Sequence, residues 1–216
     1  MKVATTLAAA ESLRRAVAFH QAVTHPAIVA PLRASDEGGA NVQLIYPWRD
    51  GEVLNAATHR GSNRAGLERF CGEPLGSVCA AVTTILDAHR AVSAAGFVAV
   101  DLYDGSFLWD RSTATMWLIN LDEYRPGPFT VPGDRLPGST SYMAPEELRH
   151  GAVIDERTTV FGLGRTIAHL LDSADGWRGS ATQREVVDRA TQTEAALRFP
   201  TVAELVEAWE ISTPGR

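Results

Sequence analysis

Gly96-Phe97-Val98-Ala99-Val100-Asp101-Leu102-Tyr103-Asp104-Gly105-Ser106-Phe107-Leu108-Trp109-Asp110 is the stretch around which the rest of the chain is arranged. An apolar, strand-like run ends on Asp101, a short polar loop follows, and a second apolar run covers Phe107 to Trp109. Such a loop holds one carboxylate rigidly, with the Ser106 hydroxyl expected to face the same space. Two strands flanking an exposed acid suit a general base or an acid beside a metal. The same residues also make a plain β-hairpin in which Asp and Gly only turn the chain. On this stretch alone the hairpin is preferred.

Working outward, Leu75, Val78, Cys79, Val82, Ile85, Leu86 and His89 trace the stripe of a long helix running to about Ala95, which Gly96 ends. On the other side Thr115 to Leu121 reads as a strand after a turn at Arg111-Ser112-Thr113. Residues 125 to 141 are rich in Pro, Gly, Ser and Thr and carry no regular element. Helices are expected over Thr159 to Leu171, Gln183 to Thr191 and Thr201 to Ile211. Toward the N-terminus, Met1 to Ala4 reads as the end of a strand and Ala8 to Val23 as a helix. Leu13, Ala16, Val17, His20 and Val23 form its inner face, and Arg14 and Arg15 face out. His25-Pro26 stops that helix. Strands are expected over Ile28 to Leu32 and Val42 to Tyr46, with a turn at Asp36-Glu37-Gly38-Gly39 between them. Pro47 to Gly51 reads as a linker, and Asn63 to Phe70 as a short helix. The fold class is α+β: a small α/β portion, residues 1–47, followed by a mainly helical portion, residues 48–216.

Composition narrows the function. The 216 residues suffice for one large domain or two small lobes. No apolar run approaches membrane-spanning length, and the N-terminus lacks a signal-peptide pattern. A net charge of −6 without a basic cluster argues against nucleic acid or an anionic membrane as partner. Cys71 and Cys79 fall on one predicted helix, so no disulfide is expected, which suits a reducing cytoplasm. The six histidines show no metal-ligand spacing.

Several motifs then fall in one order along the chain. Gly138-Ser139-Thr140-Ser141-Tyr142-Met143-Ala144-Pro145-Glu146 resembles the end of a protein-kinase activation segment with its Ala-Pro-Glu motif. Thr159-Val160-Phe161-Gly162-Leu163-Gly164 resembles the large-lobe helix that follows. Leu197-Arg198-Phe199-Pro200-Thr201-Val202-Ala203-Glu204-Leu205 is similar to the segment whose arginine pairs with the Ala-Pro-Glu glutamate. His25-Pro26-Ala27-Ile28-Val29 is similar to the family's His-Pro-Asn-Ile-Val. In this order the chain resembles bacterial serine/threonine protein-kinase-like proteins over nearly its whole length.

The resemblance implies a two-lobe kinase-like fold with ATP and Mg²⁺ as cofactors. It makes Asp101 the catalytic-loop aspartate, Lys2 the strand lysine facing nucleotide phosphates, and Tyr46-Pro47-Trp48 the hinge beside the adenine. Glu146 and Arg198 become a structural ion pair. The departures are specific. No Gly-rich loop precedes Lys2, and the helix glutamate that should pair with that lysine falls on Ala16. Ala99-Val100 replaces the His-Arg before the aspartate, Tyr103 replaces a lysine, and Ser106 replaces a metal-binding asparagine. The metal-binding aspartate of Asp-Phe-Gly falls on Asn120 by strand length and on Asp122 by chemistry. Thr159 stands where an aspartate braces the catalytic loop.

Two functions follow, the first slightly preferred. One is an ATP-dependent phosphotransferase acting on protein Ser/Thr hydroxyls, with Asp101 as base and magnesium on Asp122, Asn120 and Ser106. The acid-rich cleft of Asp101, Asp104 and Asp122 favours it. The other is a pseudokinase that serves as a binding or scaffold module. A small-molecule kinase ranks last, because the Ala-Pro-Glu landmark is generally missing from such enzymes. Partners are a protein substrate or protein partner, and an incomplete small lobe is expected to favour a homodimer.

Overall fold

The computed structural model describes residues 1–59, 61–173 and 176–213. The chain is an α+β protein with six α-helices and small antiparallel sheets among these residues. At the N-terminus β1 (Lys2–Val3), α1 (Leu7–Ala22), β2 (Arg33–Asp36) and β3 (Val42–Ile45) build a three-stranded sheet in the order β1-β3-β2 with a helix packed on it. Thr6 caps α1, its hydroxyl accepting from the Ala9 amide at 3.1 Å. The buried ridge of the helix is Ala10, Leu13, Ala16 and Phe19. Phe19 thus takes the inward place expected of Val17 and His20, which are only half-buried. Ala10, Leu13 and Ala16 pack with Ala4, Val42 and Leu44 in a small core of their own. Phe19 and Val23 belong instead to the main core, where the Phe19 ring meets Phe97 and Tyr124 edge-on at 5.5 and 5.3 Å. The helix therefore spans both cores.

The strand expected over Ile28 to Leu32 forms elsewhere. The turn around Gly38, closed by the Glu37 amide on the Asn41 carbonyl at 3.0 Å, sets the hairpin register. Counting from that turn, pairing with β3 falls on Arg33–Asp36 rather than on the apolar run. Ala27 to Val29 enter the main core and clasp a later strand: the Val29 amide donates to Leu118 at 3.0 Å, and the Leu118 amide to Ala27 at 2.8 Å.

Beyond Pro47 come β4 (Glu52–Val53), the hairpin β5 (Ala56–Thr58) and β6 (Gly61–Asn63), then α2 (Ala65–Cys71) and α3 (Leu75–Ala94). Gly72 and Pro74 separate the two helices, so Cys71 and Cys79 lie on different helices and not on one; both thiols are free. In α3 the fully buried His89 accepts from the Tyr124 hydroxyl at 2.8 Å and donates to the Ile85 carbonyl at 2.7 Å. Burial lowers its pKa to about 4, so this histidine is a neutral core residue.

Next come β7 (Phe97–Val98), β8 (Phe107–Asp110) and β9 (Thr115–Leu118), then β10 (Arg125–Pro126) and β11 (Phe129–Thr130) inside the stretch expected to be irregular. The hairpin reading of residues 96–110 is overturned. β7 pairs with β10, while β8 pairs with β4 and β9, so the Asp101 loop crosses between two sheets. β12 (Val153–Ile154) pairs with β11. Then follow α4 (Glu156–Leu171), the strands β13 (Asp172–Ser173) and β14 (Gly176–Trp177), α5 (Ala181–Ala190) and α6 (Val202–Ser212). Helices α3 to α6 surround the main core, with Trp209 fully buried and its indole N–H on the Thr83 hydroxyl at 3.2 Å. Gly164 lets α4 approach α5 closely, since a Cβ there would stand 2.8 Å from Ala190 and Thr191 side-chain atoms.

Candidate functional site

Asp101 lies immediately beyond β7 on a backbone held at φ 58°, the left-handed region that non-glycine residues rarely occupy. Two contacts with α4 fix the loop. The Ala99 amide donates to the buried Thr159 hydroxyl at 3.0 Å, and Leu102 packs on the bare face of Gly162. A threonine thus braces this loop by one hydrogen bond. The Asp101 carboxyl is half-buried, and burial, followed by the charges of Glu123 and Asp122, raises its pKa to about 6.

The rest of the loop is mostly buried. Asp104 is 1% exposed and accepts from Asn55 at 2.9 Å and Arg64 at 2.7 Å, so it anchors the β4–α2 region and is not a cleft acid. Ser106 has no exposed surface, and its hydroxyl has no hydrogen-bond partner among the described residues. The 3-10 turn Asp104–Ser106 buries this hydroxyl, which was expected to face the same space as Asp101. Its carbonyl instead accepts the Ile119 amide at 2.9 Å, tying the Asp101 loop to the one after β9. Tyr103 lies over Gly105, where any side chain would collide with its ring.

Lys2, Tyr46, Asn120 and Asp122 come together opposite this loop. Lys2 pairs with Leu44 across β1 and β3 and shares its inward face. From there its ammonium donates to Asn120 Oδ1 at 2.8 Å and to the Asp122 carboxylate. It also stands 5.9 Å from the centre of the Tyr46 ring. Asn120 has φ 58°, a second left-handed non-glycine residue facing the cleft. His20 lies edge-on to Tyr46, and burial lowers its pKa to about 4. Pro47 is half-buried, whereas Trp48 is 85% exposed, with its indole N–H on Asp50 at 3.0 Å.

A third cluster holds α1 against the cleft. Glu123 accepts from the Ser12 hydroxyl at 2.7 Å, from Arg15 at 2.7 and 2.8 Å and from Arg125 at 3.0 Å. Burial pushes its carboxyl up, but the hydrogen bonds from Ser12 and Arg15 outweigh that and hold it below the ordinary range. Arg15 therefore faces inward, not outward as its helical position suggested. Arg14 is the exposed one, paired with Asp36 at 2.7 Å. Ala16, where the resemblance wants a helix glutamate, is fully buried. The neighbouring position supplies the opposite charge, and the acid stands in the loop.

Under the Ala144-Pro145-Glu146 turn, Arg198 and Glu146 form a bidentate pair at 2.6 and 2.9 Å, with no exposed surface on the Arg198 side chain. The adjacent Glu147 is also buried and accepts the Ala144 amide at 2.7 Å.

Magnesium and ATP can be tested against these groups. Among the described residues no three His, Cys, Asp or Glu side chains converge as metal ligands. Ser106 is sealed, and Glu123 is engaged by two arginines. Lys2, the same amine that the resemblance assigns to phosphates, occupies Asn120 Oδ1 and one Asp122 oxygen, while Asp122 Oδ1 is buried without a partner among the described residues. Lys2 is paired with Asp122, and Arg15 and Arg125 with Glu123, whereas the Asp101 carboxyl faces two like charges. Lys2 therefore competes with a cation for Asn120 Oδ1 and for one oxygen of Asp122. Among the described residues no helix is long and apolar enough to cross a membrane. No protein-family model matches the chain, and no curated protein gives a significant match.

Proposed function

We propose that the chain is a kinase-like binding module, a pseudokinase, whose cleft is closed by its own side chains. One observation carries this reading: the Lys2 ammonium is bound to Asn120 and Asp122, the residues from which the metal would have to be held. Phosphoryl transfer depends on fixed charges around the triphosphate, each worth a few kcal/mol in the transition state. Here those charges are spent on one another. The kinase-like scaffold is supported by the element order, by the Glu146–Arg198 pair and by the Thr159 brace under the Asp101 loop. A protein partner suits a module of this kind. The second edge of β1, unpaired among the described residues and carrying the exposed Val3, supports self-association of the small lobe. Free thiols at Cys71 and Cys79 are in keeping with a reducing, cytoplasmic setting.

The phosphotransferase reading keeps one observation in its favour. Asp101 combines a strained backbone with a carboxyl pKa raised by burial to about 6, as a general base would have. Incubation with labelled ATP, Mg²⁺ and a generic Ser/Thr protein substrate separates the two. We expect no phosphate incorporation above that of the Asp101→Asn variant. Incorporation by the unaltered chain that disappears in Asp101→Asn would establish the enzyme and remove the binding-module reading.

A further inference from the structure

A cavity of about 260 Å³ opens between α2 and the turn joining β8 to β9, well apart from the Asp101 cleft in its residues. Its floor is apolar: Leu54, Phe70 and Trp109, the two rings meeting edge-on at 5.0 Å. Two polar groups on its wall are poorly served. The indole N–H of Trp109, a residue 6% exposed, is buried and has no hydrogen-bond partner among the described residues. Glu73, 9% exposed, has Arg111 as its ion-pair partner at 2.6 Å, and that arginine side chain is 70% exposed. A buried carboxylate is thus neutralised by a tether lying mostly in water, which is readily exchanged.

We infer that this cavity takes an arginine side chain from a partner protein. The incoming guanidinium replaces Arg111 on Glu73 and lies against the accessible edge of Trp109. Arginine fits because its planar fork matches a carboxylate and stacks on aromatic faces. The chain's net charge of −6 favours a basic segment. This inference goes beyond the pseudokinase proposal and does not depend on whether the Asp101 cleft is active.

The test uses the full chain labelled with ¹⁵N and the indole N–H resonance of Trp109, assigned with Trp109→Phe. The probe is the peptide acetyl-Gly-Arg-Gly-amide, with its uncharged citrulline counterpart and guanidinium chloride as comparisons. The Trp109 resonance is expected to move saturably with the arginine peptide, to move only at much higher concentration with guanidinium chloride, and to stay in place with the citrulline peptide. Arg111→Ala should bind the peptide about threefold more tightly, the worth of one exposed ion pair, and Glu73→Gln should abolish the shift. Arg111→Ala leaves the buried carboxylate intact, so it tests the site even where Glu73→Gln fails to fold. A Trp109 resonance unmoved by the arginine peptide in both the parent chain and Arg111→Ala would overturn the inference. An equal response to the citrulline peptide would do the same.

Discussion

Arg198→Met is expected to lower the free energy of unfolding by about 3–5 kcal/mol, the usual penalty for leaving a buried charge without its partner. Every N–H of this guanidinium is used. Nε donates to the Gln192 carbonyl, Nη1 to Glu146 and the Arg157 carbonyl, and Nη2 to Glu146 and the Thr193 carbonyl. Methionine fills similar space but leaves those acceptors bare, and Glu146 keeps only the Thr158 hydroxyl at 2.8 Å among its side-chain donors. The pH dependence has a definite sign. Burial raises the Glu146 carboxyl, but the hydrogen bonds from Arg198 outweigh it and hold the folded-state pKa below the ordinary value. Its contribution is therefore full above the unfolded carboxylate range and is lost as pH falls through the lowered folded value. Urea midpoints of the parent chain and Arg198→Met should differ widely at neutral pH and converge in acid. A gap that stays constant into acid would show that lost packing, not the charge pair, sets the penalty.

Glu147→Gln should act in the opposite direction. Burial first, then the charges of Glu146 and Asp101, raises the Glu147 carboxyl to about 8. The folded protein thus holds this proton more tightly than the unfolded chain. The group's contribution to stability is full below the unfolded carboxylate value and falls as pH rises toward 8, then levels off. The raised value corresponds to about 5 kcal/mol lost across that window. Glutamine carries no charge and keeps an oxygen for the Ala144 amide. The variant should match the parent chain near pH 4 and exceed it by a few kcal/mol at pH 9, as read from urea unfolding at both pH values. An unchanged difference between the two would show that Glu147 is solvated when ionised.

The two glutamates also show what sequence conveys and what it withholds. Glu146 could be matched to Arg198 because both stand in motifs whose partners are fixed by resemblance. Glu147 carries no such label, and its environment arises only once residues 136 and 144 fold over it. Helices α3, α4 and α6 were legible because apolar stripes and terminal residues are local signals. Strands β4 to β6 were not, since two- or three-residue strands give no measurable alternation. Arg15 was assigned outward for a related reason: its partner Glu123 is 108 residues away, and no local pattern announces it. At Ser106 a hydroxyl in a polar loop looked available, but the 3-10 turn buried it. The split at residue 47 followed the Pro47 linker, whereas Phe19 and Val23 cross into the main core. Sequence thus supplied Asp101, Lys2, Asn120 and Asp122 as candidates, and the folded geometry supplied the neutralisation of Lys2 by Asp122 and Asn120.

That neutralisation is the central claim, and titration calorimetry of the full chain with ATP, in the presence and absence of Mg²⁺, addresses it most directly. The account predicts no saturable heat in either condition, because the Lys2 amine that would face phosphates is held by Asp122 and Asn120. Saturable, Mg²⁺-dependent ATP binding that disappears in Asp122→Asn would contradict it.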